Sequence, residues 1–159
     1  MIDIYVKRVH PDARIPEYAH GHREDAGMDL VSVERVRLYA NVPTLVKTGL
    51  VMALPPGVEG QIRTRSGMAL KEGIWVLNSP GTLDPGYRGE IGVILHWVGY
   101  VGGVLPVMFD EDGERYKLVE AGSKVAQIVF AEYKQVSLWP TEDLDNTNRG
   151  NGGFGSTGL

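Results

Sequence analysis

Leu45-Val-Lys-Thr-Gly-Leu-Val-Met-Ala-Leu54, then Pro55-Pro-Gly57, then Val58-Glu-Gly-Gln-Ile-Arg63, is the stretch that decides the fold. Two strand-like runs flank a turn that proline and glycine enforce, because proline pre-sets φ and glycine accepts positive φ. The same pattern repeats outward in both directions. Ile2, Ile4 and Val6 alternate with Asp3, Tyr5 and Lys7, and Val31 and Val33 alternate with Ser32 and Glu34. This period of two is that of half-buried strands. Further strand-like runs are Val36–Ala40, Ile74–Leu77, Ile91–Val98, Val125–Ala131 and Gln135–Trp139. Asn78-Ser-Pro-Gly81 and Gly102-Gly103 punctuate the gaps, and Asp112-Gly113 reads as a hairpin turn between Val107–Phe109 and Arg115–Val119. One short helix is expected, around Ser66–Lys71. Many short strands with closely spaced turns predict an all-β domain, an antiparallel sandwich or barrel-like jelly roll.

Composition narrows the function. The 159 residues suit one domain, and 43% hydrophobic with 23% charged residues is ordinary for a globular protein. A net charge of −4 argues against a nucleic-acid-binding surface but leaves room for a small anion held by a few arginines. The chain has no cysteine, so disulfides and thiolate metal sites are excluded. It shows no targeting segment and no membrane-spanning run, which predicts a soluble, cytoplasmic protein.

Five polar clusters interrupt the strands. In Ala26-Gly-Met-Asp-Leu30, Asp29 reads either as an Asx-type turn or as a partner for an arginine. In Arg65-Ser-Gly-Met-Ala69, Ser66 reads either as a helix cap or as part of a phosphate site at the helix start. In Asn78-Ser-Pro-Gly-Thr-Leu-Asp-Pro-Gly-Tyr-Arg-Gly-Glu90, Asp84 is either a turn opener or a general base fixed on a rigid turn. In Gly122-Ser-Lys-Val-Ala-Gln-Ile-Val129, the Gln127 amide sits in an apolar strand and needs partners. The tail Arg149-Gly-Asn-Gly-Gly-Phe-Gly-Ser-Thr-Gly-Leu159 has linker composition, but Arg149 suits phosphate oxygens and Phe154 suits a base. The histidines suggest no metal site: His20 and His22 lack a third ligand, while His10 and His96 are isolated and structural. Trp75, Trp97 and Trp139 read as core or interface aromatics.

Taken in order, these clusters resemble the five motifs of the trimeric dUTP pyrophosphatases, the dUTPases, from Ala26 to Gly158. The resemblance implies a distorted jelly roll that forms a homotrimer with shared active sites. It implies hydrolysis of dUTP to dUMP and pyrophosphate, with Mg²⁺ held mainly by the triphosphate rather than by protein ligands. Asp84 is then the residue that activates water. Gln127 and Ser66 contact phosphate and water, and Asp29 supports Arg65. Asn78 with the hairpin backbone of Gly81, Thr82 and Leu83 reads uracil, and Tyr87 packs under deoxyribose. Gly67 belongs to the phosphate turn, and Arg149, Phe154, Gly155, Ser156 and Thr157 belong to the closing tail. The expected organisation is a β domain over 1–148 and a flexible C-terminal lid over 149–159.

Two features depart from the family pattern. Lys124 stands where an arginine is usual, so an ion pair made there is expected to be weakened or lost. The segment 99–120 is longer than usual and reads as an inserted hairpin that could alter a trimer channel, bind a protein partner, or only extend the sheet. A regulatory, partner-binding dUTPase-fold protein is the alternative from another class. The rival enzyme, dCTP deaminase, is disfavoured by Ile94 where it needs a glutamate, and by Gly67 and Leu70.

Overall fold

The computed structural model describes residues 2–153. The strands are β1 Tyr5–Arg8, β2 Met28–Val31, β3 Val36–Tyr39, β4 Thr44–Lys47, β5 Leu50–Ala53, β6 Val58–Arg63, β7 Ile74–Val76, β8 Gly81–Leu83, β9 Gly92–Trp97, β10 Val107–Phe109, β11 Arg115–Val119 and β12 Lys124–Glu132. They pair antiparallel into four small sheets, ordered β1-β5, β10-β11-β3, β2-β12-β6-β8 and β4-β9-β7. With a single helical turn, this is the mostly antiparallel, jelly-roll type of domain that the strand pattern predicted.

Gly49 divides the run that opened the sequence reading. Its φ is +69°, and an added Cβ would lie 2.7 Å from the His10 Cβ and 2.8 Å from the Ala13 Cβ. The chain turns a corner there, so β4 pairs with β9 while β5 pairs with β1. The Pro55-Pro-Gly57 turn falls where expected, closed by the Val58 N–H donating to the Pro55 carbonyl.

Alternation sets the core. Val58, Gly60 and Ile62 of β6 and Val93, Leu95 and Trp97 of β9 point inward, joined by Leu30, Leu38, Leu50, Ile74 and Ile128. Fully burying one such aliphatic side chain contributes about 1.5–3 kcal/mol. Of the tryptophans only Trp97 belongs to this core; Trp75 is partly exposed and Trp139 is 84% exposed.

Two sequence expectations are corrected. Gln135–Trp139 forms no strand: Val136, Leu138 and Trp139 are exposed, and the segment enters none of the described sheets. The short helix stands where expected, as a turn through Ser66 and Gly67 that is π-type over Met68–Glu72 and closed by Gly73 at φ +63°. Val33 lies beyond the end of β2, in the corner that precedes β3. The hairpin about Asp112-Gly113 is β10–β11, and β11 continues onto β3, so the 99–120 segment joins the body of the fold. Among the described residues no helix is long and apolar enough to cross a membrane.

Candidate active site

β8 and the turn after it build one wall of the site. Gly81 pairs with Ile62 and Leu83 with Gly60, which pins this short strand to β6. An added Cβ on Gly81 would lie 2.9 Å from the Asn78 Nδ2, so the glycine makes room for that amide to fold back over the strand. After Leu83 the chain turns sharply: the Tyr87 N–H donates to the Asp84 carbonyl, and Arg88 donates to the carbonyls of Pro85 and Tyr87. Tyr87 Oη donates to the Glu90 carbonyl at 3.0 Å. Asp84 is exposed on this braced turn.

These residues enclose a cavity of about 160 Å³ lined by Asn78, Gly81, Thr82, Leu83, Asp84 and Tyr87, with Ile62, Glu90, Ile91 and Gly92 completing it. The last four were not singled out in the sequence. Glu90 had a usable signal as the acid that ends the third cluster; its carboxylate accepts the Gly49 N–H at 2.8 Å and ties this pocket to the β4–β5 corner.

A second cluster assembles on β2, β6 and β12. Gln127 lies opposite Asp29 on one side and opposite Arg63 on the other. Its Nε2 donates to the Thr64 carbonyl at 3.1 Å, and Thr64 Oγ1 accepts the Val76 N–H at 2.9 Å. Gly27 faces the amide: a Cβ there would stand 2.7 Å from the Gln127 Oε1. Of the two readings of Asp29, the arginine partner is the one seen. Arg65 Nε donates to its Oδ1 at 2.8 Å, and Arg65 Nη1 donates to the Lys124 carbonyl at 3.2 Å.

Lys124 corrects the expectation of a lost ion pair. Its Nζ lies 2.8 Å from the Asp29 Oδ2, so the carboxylate is shared between an arginine and a lysine. A single ammonium reaches the free oxygen that Arg65 leaves, and no planar fork is required. Ser66 does not cap the helical turn, which has no side-chain cap; it is exposed beside Gly67.

The two clusters do not share a cavity within one chain. None of Arg65, Ser66, Gly67 or Gln127 lines the pocket of Asn78 and Asp84; Arg65 and Gly67 border a different one. Arg149 is in neither: its Nε donates to the Gly152 carbonyl at 2.9 Å within its own exposed turn. Phe154, Gly155, Ser156 and Thr157 lie outside the described residues. Among the described residues, no three His, Cys, Asp or Glu side chains gather as a metal site.

Comparison with known proteins identifies the family. The dUTPase family model matches residues 13–101 and 99–158. The deoxyuridine 5′-triphosphate nucleotidohydrolase of Solibacter usitatus is 46% identical over 157 residues, covering 99% of this chain and 97% of that protein. A dUTPase of Staphylococcus bacteriophage 80alpha, solved with dUpNHpp, superposes with a TM-score of 0.81 at 27% identity, over 99% of both chains. The dUTPase of phage phi11 of S. aureus, whose structure details coordination of a structural Mg(II) ion, superposes with a TM-score of 0.73 at 27% identity over 89% of this chain and 97% of that one. A pocket and a charged cluster built from the same ordered motifs, on a chain matched over nearly its full length, place this protein in the dUTPase family.

Proposed function

We propose that the chain hydrolyses dUTP to dUMP and pyrophosphate at a site completed by other copies of itself. The function rests on family membership, and the observation that carries the shared site is the separation of the two clusters. Asn78 and the β8 backbone are suited to the uracil edge, and Tyr87 to packing against deoxyribose. Arg65, Ser66 and Gln127 carry the donors a triphosphate needs, but on another surface. A second subunit supplying them is the economical solution for a symmetric oligomer. Arg149, Phe154, Gly155, Ser156 and Thr157 then close over the nucleotide as a lid.

In the reaction, Asp84 orients a water and takes its proton as the water oxygen bonds to the α-phosphorus. The bond from the α-phosphorus to the bridging oxygen breaks, and that oxygen leaves on pyrophosphate. Asp84 suits the role because a braced turn presents its carboxylate. Ser66, Gln127 and Arg65 hold the phosphates and stabilise developing charge. Mg²⁺ ordinarily binds through one or two carboxylates plus substrate phosphates. Bound in that way with the triphosphate, it would offset part of the nucleotide's charge beside Asp84 and Arg65.

Subunit mixing tests the shared site. Asp84→Asn and Ser66→Ala proteins, each inactive alone, are dissociated together and reassembled. In a randomly mixed oligomer about a quarter of the sites pair an intact Asp84 from one chain with an intact Ser66 from another. Pyrophosphate release from dUTP should reappear accordingly. A mixture as inactive as its components means that each site is built within one chain.

A further inference from the structure

Glu72 and Lys117 are the only charged residues buried among the described residues. Glu72 ends the helical turn that Ser66 and Gly67 enter. Lys117 lies in β11, within the 99–120 segment, and is 0% exposed. Its Nζ donates to the Glu72 Oε2 at 2.8 Å and to the Gly102 carbonyl at 2.7 Å, and it lies over the rings of Trp97 and Tyr100. The Glu72 carboxylate also accepts the N–H groups of Val104, at 2.8 Å, and Leu105, at 3.2 Å. One carboxylate thus gathers a side chain and two backbone donors from the 99–120 segment.

The fit around this clasp is close on both sides. A Cβ on Gly103, where φ is +104°, would collide with the Glu72 Oε2 and the Lys71 carbonyl. A Cβ on Gly73 would lie 2.8 Å from the Tyr100 Cβ. Val104 and Leu105, held by Glu72, share the walls of a cavity of about 230 Å³ with Arg65, Gly67 and Met68. The segment is therefore fastened to the end of the turn and reaches its beginning.

We propose that Glu72 and Lys117 are positioning residues for hydrolysis: their clasp fixes the Arg65–Gly67 turn in the orientation that grips the triphosphate. The proposal rests on the reading of Arg65 and Ser66 as phosphate contacts. Stability alone does not account for the pair, because buried ion pairs are commonly no better than well-packed apolar substitutes. Their directional hydrogen bonds fix a geometry that apolar packing leaves looser. A small displacement of a substrate-gripping turn is costly to rate even without direct contact by the residues that moved.

The test compares wild type, E72Q/K117M, G103A and S66A as assembled full-length proteins, measured below their melting temperatures. The double variant leaves no unpaired buried charge, and G103A presses on the clasp while keeping both charges. The readouts are kcat and KM for dUTP and the affinities for dUpNHpp and dUMP. Both clasp variants should bind dUpNHpp about tenfold more weakly and turn over about ten- to a hundredfold more slowly. Binding of dUMP, which lacks the β- and γ-phosphates, should stay within about twofold if the pocket is undisturbed. A destabilised but unspecific protein would lose both ligands alike, which overturns the positioning role. So does wild-type dUpNHpp affinity and kcat in the double variant while S66A loses both. Unaltered dUpNHpp affinity in S66A overturns instead the phosphate-contact reading beneath the proposal.

Discussion

At the residue scale, small side chains decide where the functional amides point. Gly27 faces the Gln127 Oε1, the far end of a flexible side chain, so Gly27→Ala can be accommodated by moving that amide. The fold then suffers little while the amide leaves the Thr64 carbonyl. We expect Gly27→Ala to lower kcat by about tenfold, with a small change in melting temperature; an unchanged kcat removes Gln127 from the mechanism. Lys124→Ala should behave differently. Lys124 is about half exposed and Arg65 still holds Asp29, so chemical denaturation should register a loss of no more than about 1 kcal/mol. The motif residues themselves were legible in the sequence, because turn formers, hydroxyls and carboxylates cluster there against apolar runs. The shared Asp29 carboxylate was not, since nothing in the chain's order says that a lysine 95 positions away reaches the oxygen an arginine leaves free.

At the scale of elements, local periodicity was a sound guide where strands pair within the chain and failed where they do not. β6 alternates as its sequence does, and the apolar run of β9 pairs on both sides. Gly49 looked like one residue within a continuous run, and only its close approach to His10 and Ala13 makes it a corner. Gln135–Trp139 has strand composition without a partner, and its exposed Val136, Leu138 and Trp139 suit contact with another copy. The Glu72–Lys117 clasp had no sequence signal, being a contact across 45 positions. Burial alone would raise the Glu72 pKa, but donation from Lys117, Val104 and Leu105 outweighs it and holds the carboxyl below its ordinary value of 4.5. The stability it contributes is then fully present above that value and is lost as pH falls through the lower, folded one. Melting temperatures of wild type and Glu72→Gln should converge on acidification through this window; a gap that stays constant with pH contradicts the ion pair. If the proposed lid over 149–159 acts as such, truncation after Asn148 should leave melting and assembly intact while kcat for dUTP falls by about a hundredfold or more, as expected when groups that hold the phosphates are removed.

At the scale of the whole molecule, the fold carries the two clusters on one framework. β6 links them: Ile62 pairs with Gly81 of the pocket strand, and Arg63 lies opposite Gln127. Apolar side chains left exposed on β4 and β7 and just beyond β7 and β9, among them Leu45, Trp75, Leu77 and Val98, offer a face for subunit contact. If the homotrimer that the family resemblance implies holds for this chain, light scattering should give the mass of three chains. At the pocket, Asp84 is proposed to activate water against dUTP alone. The most direct test of this role is pyrophosphate release with Mg²⁺ from dUTP, dCTP, dTTP and UTP, using wild type and Asp84→Asn. Wild type should turn over dUTP and leave the other three essentially untouched, and the variant should lose about two to four orders of magnitude in kcat. Undiminished turnover by Asp84→Asn, or ammonia release from dCTP, would contradict the account.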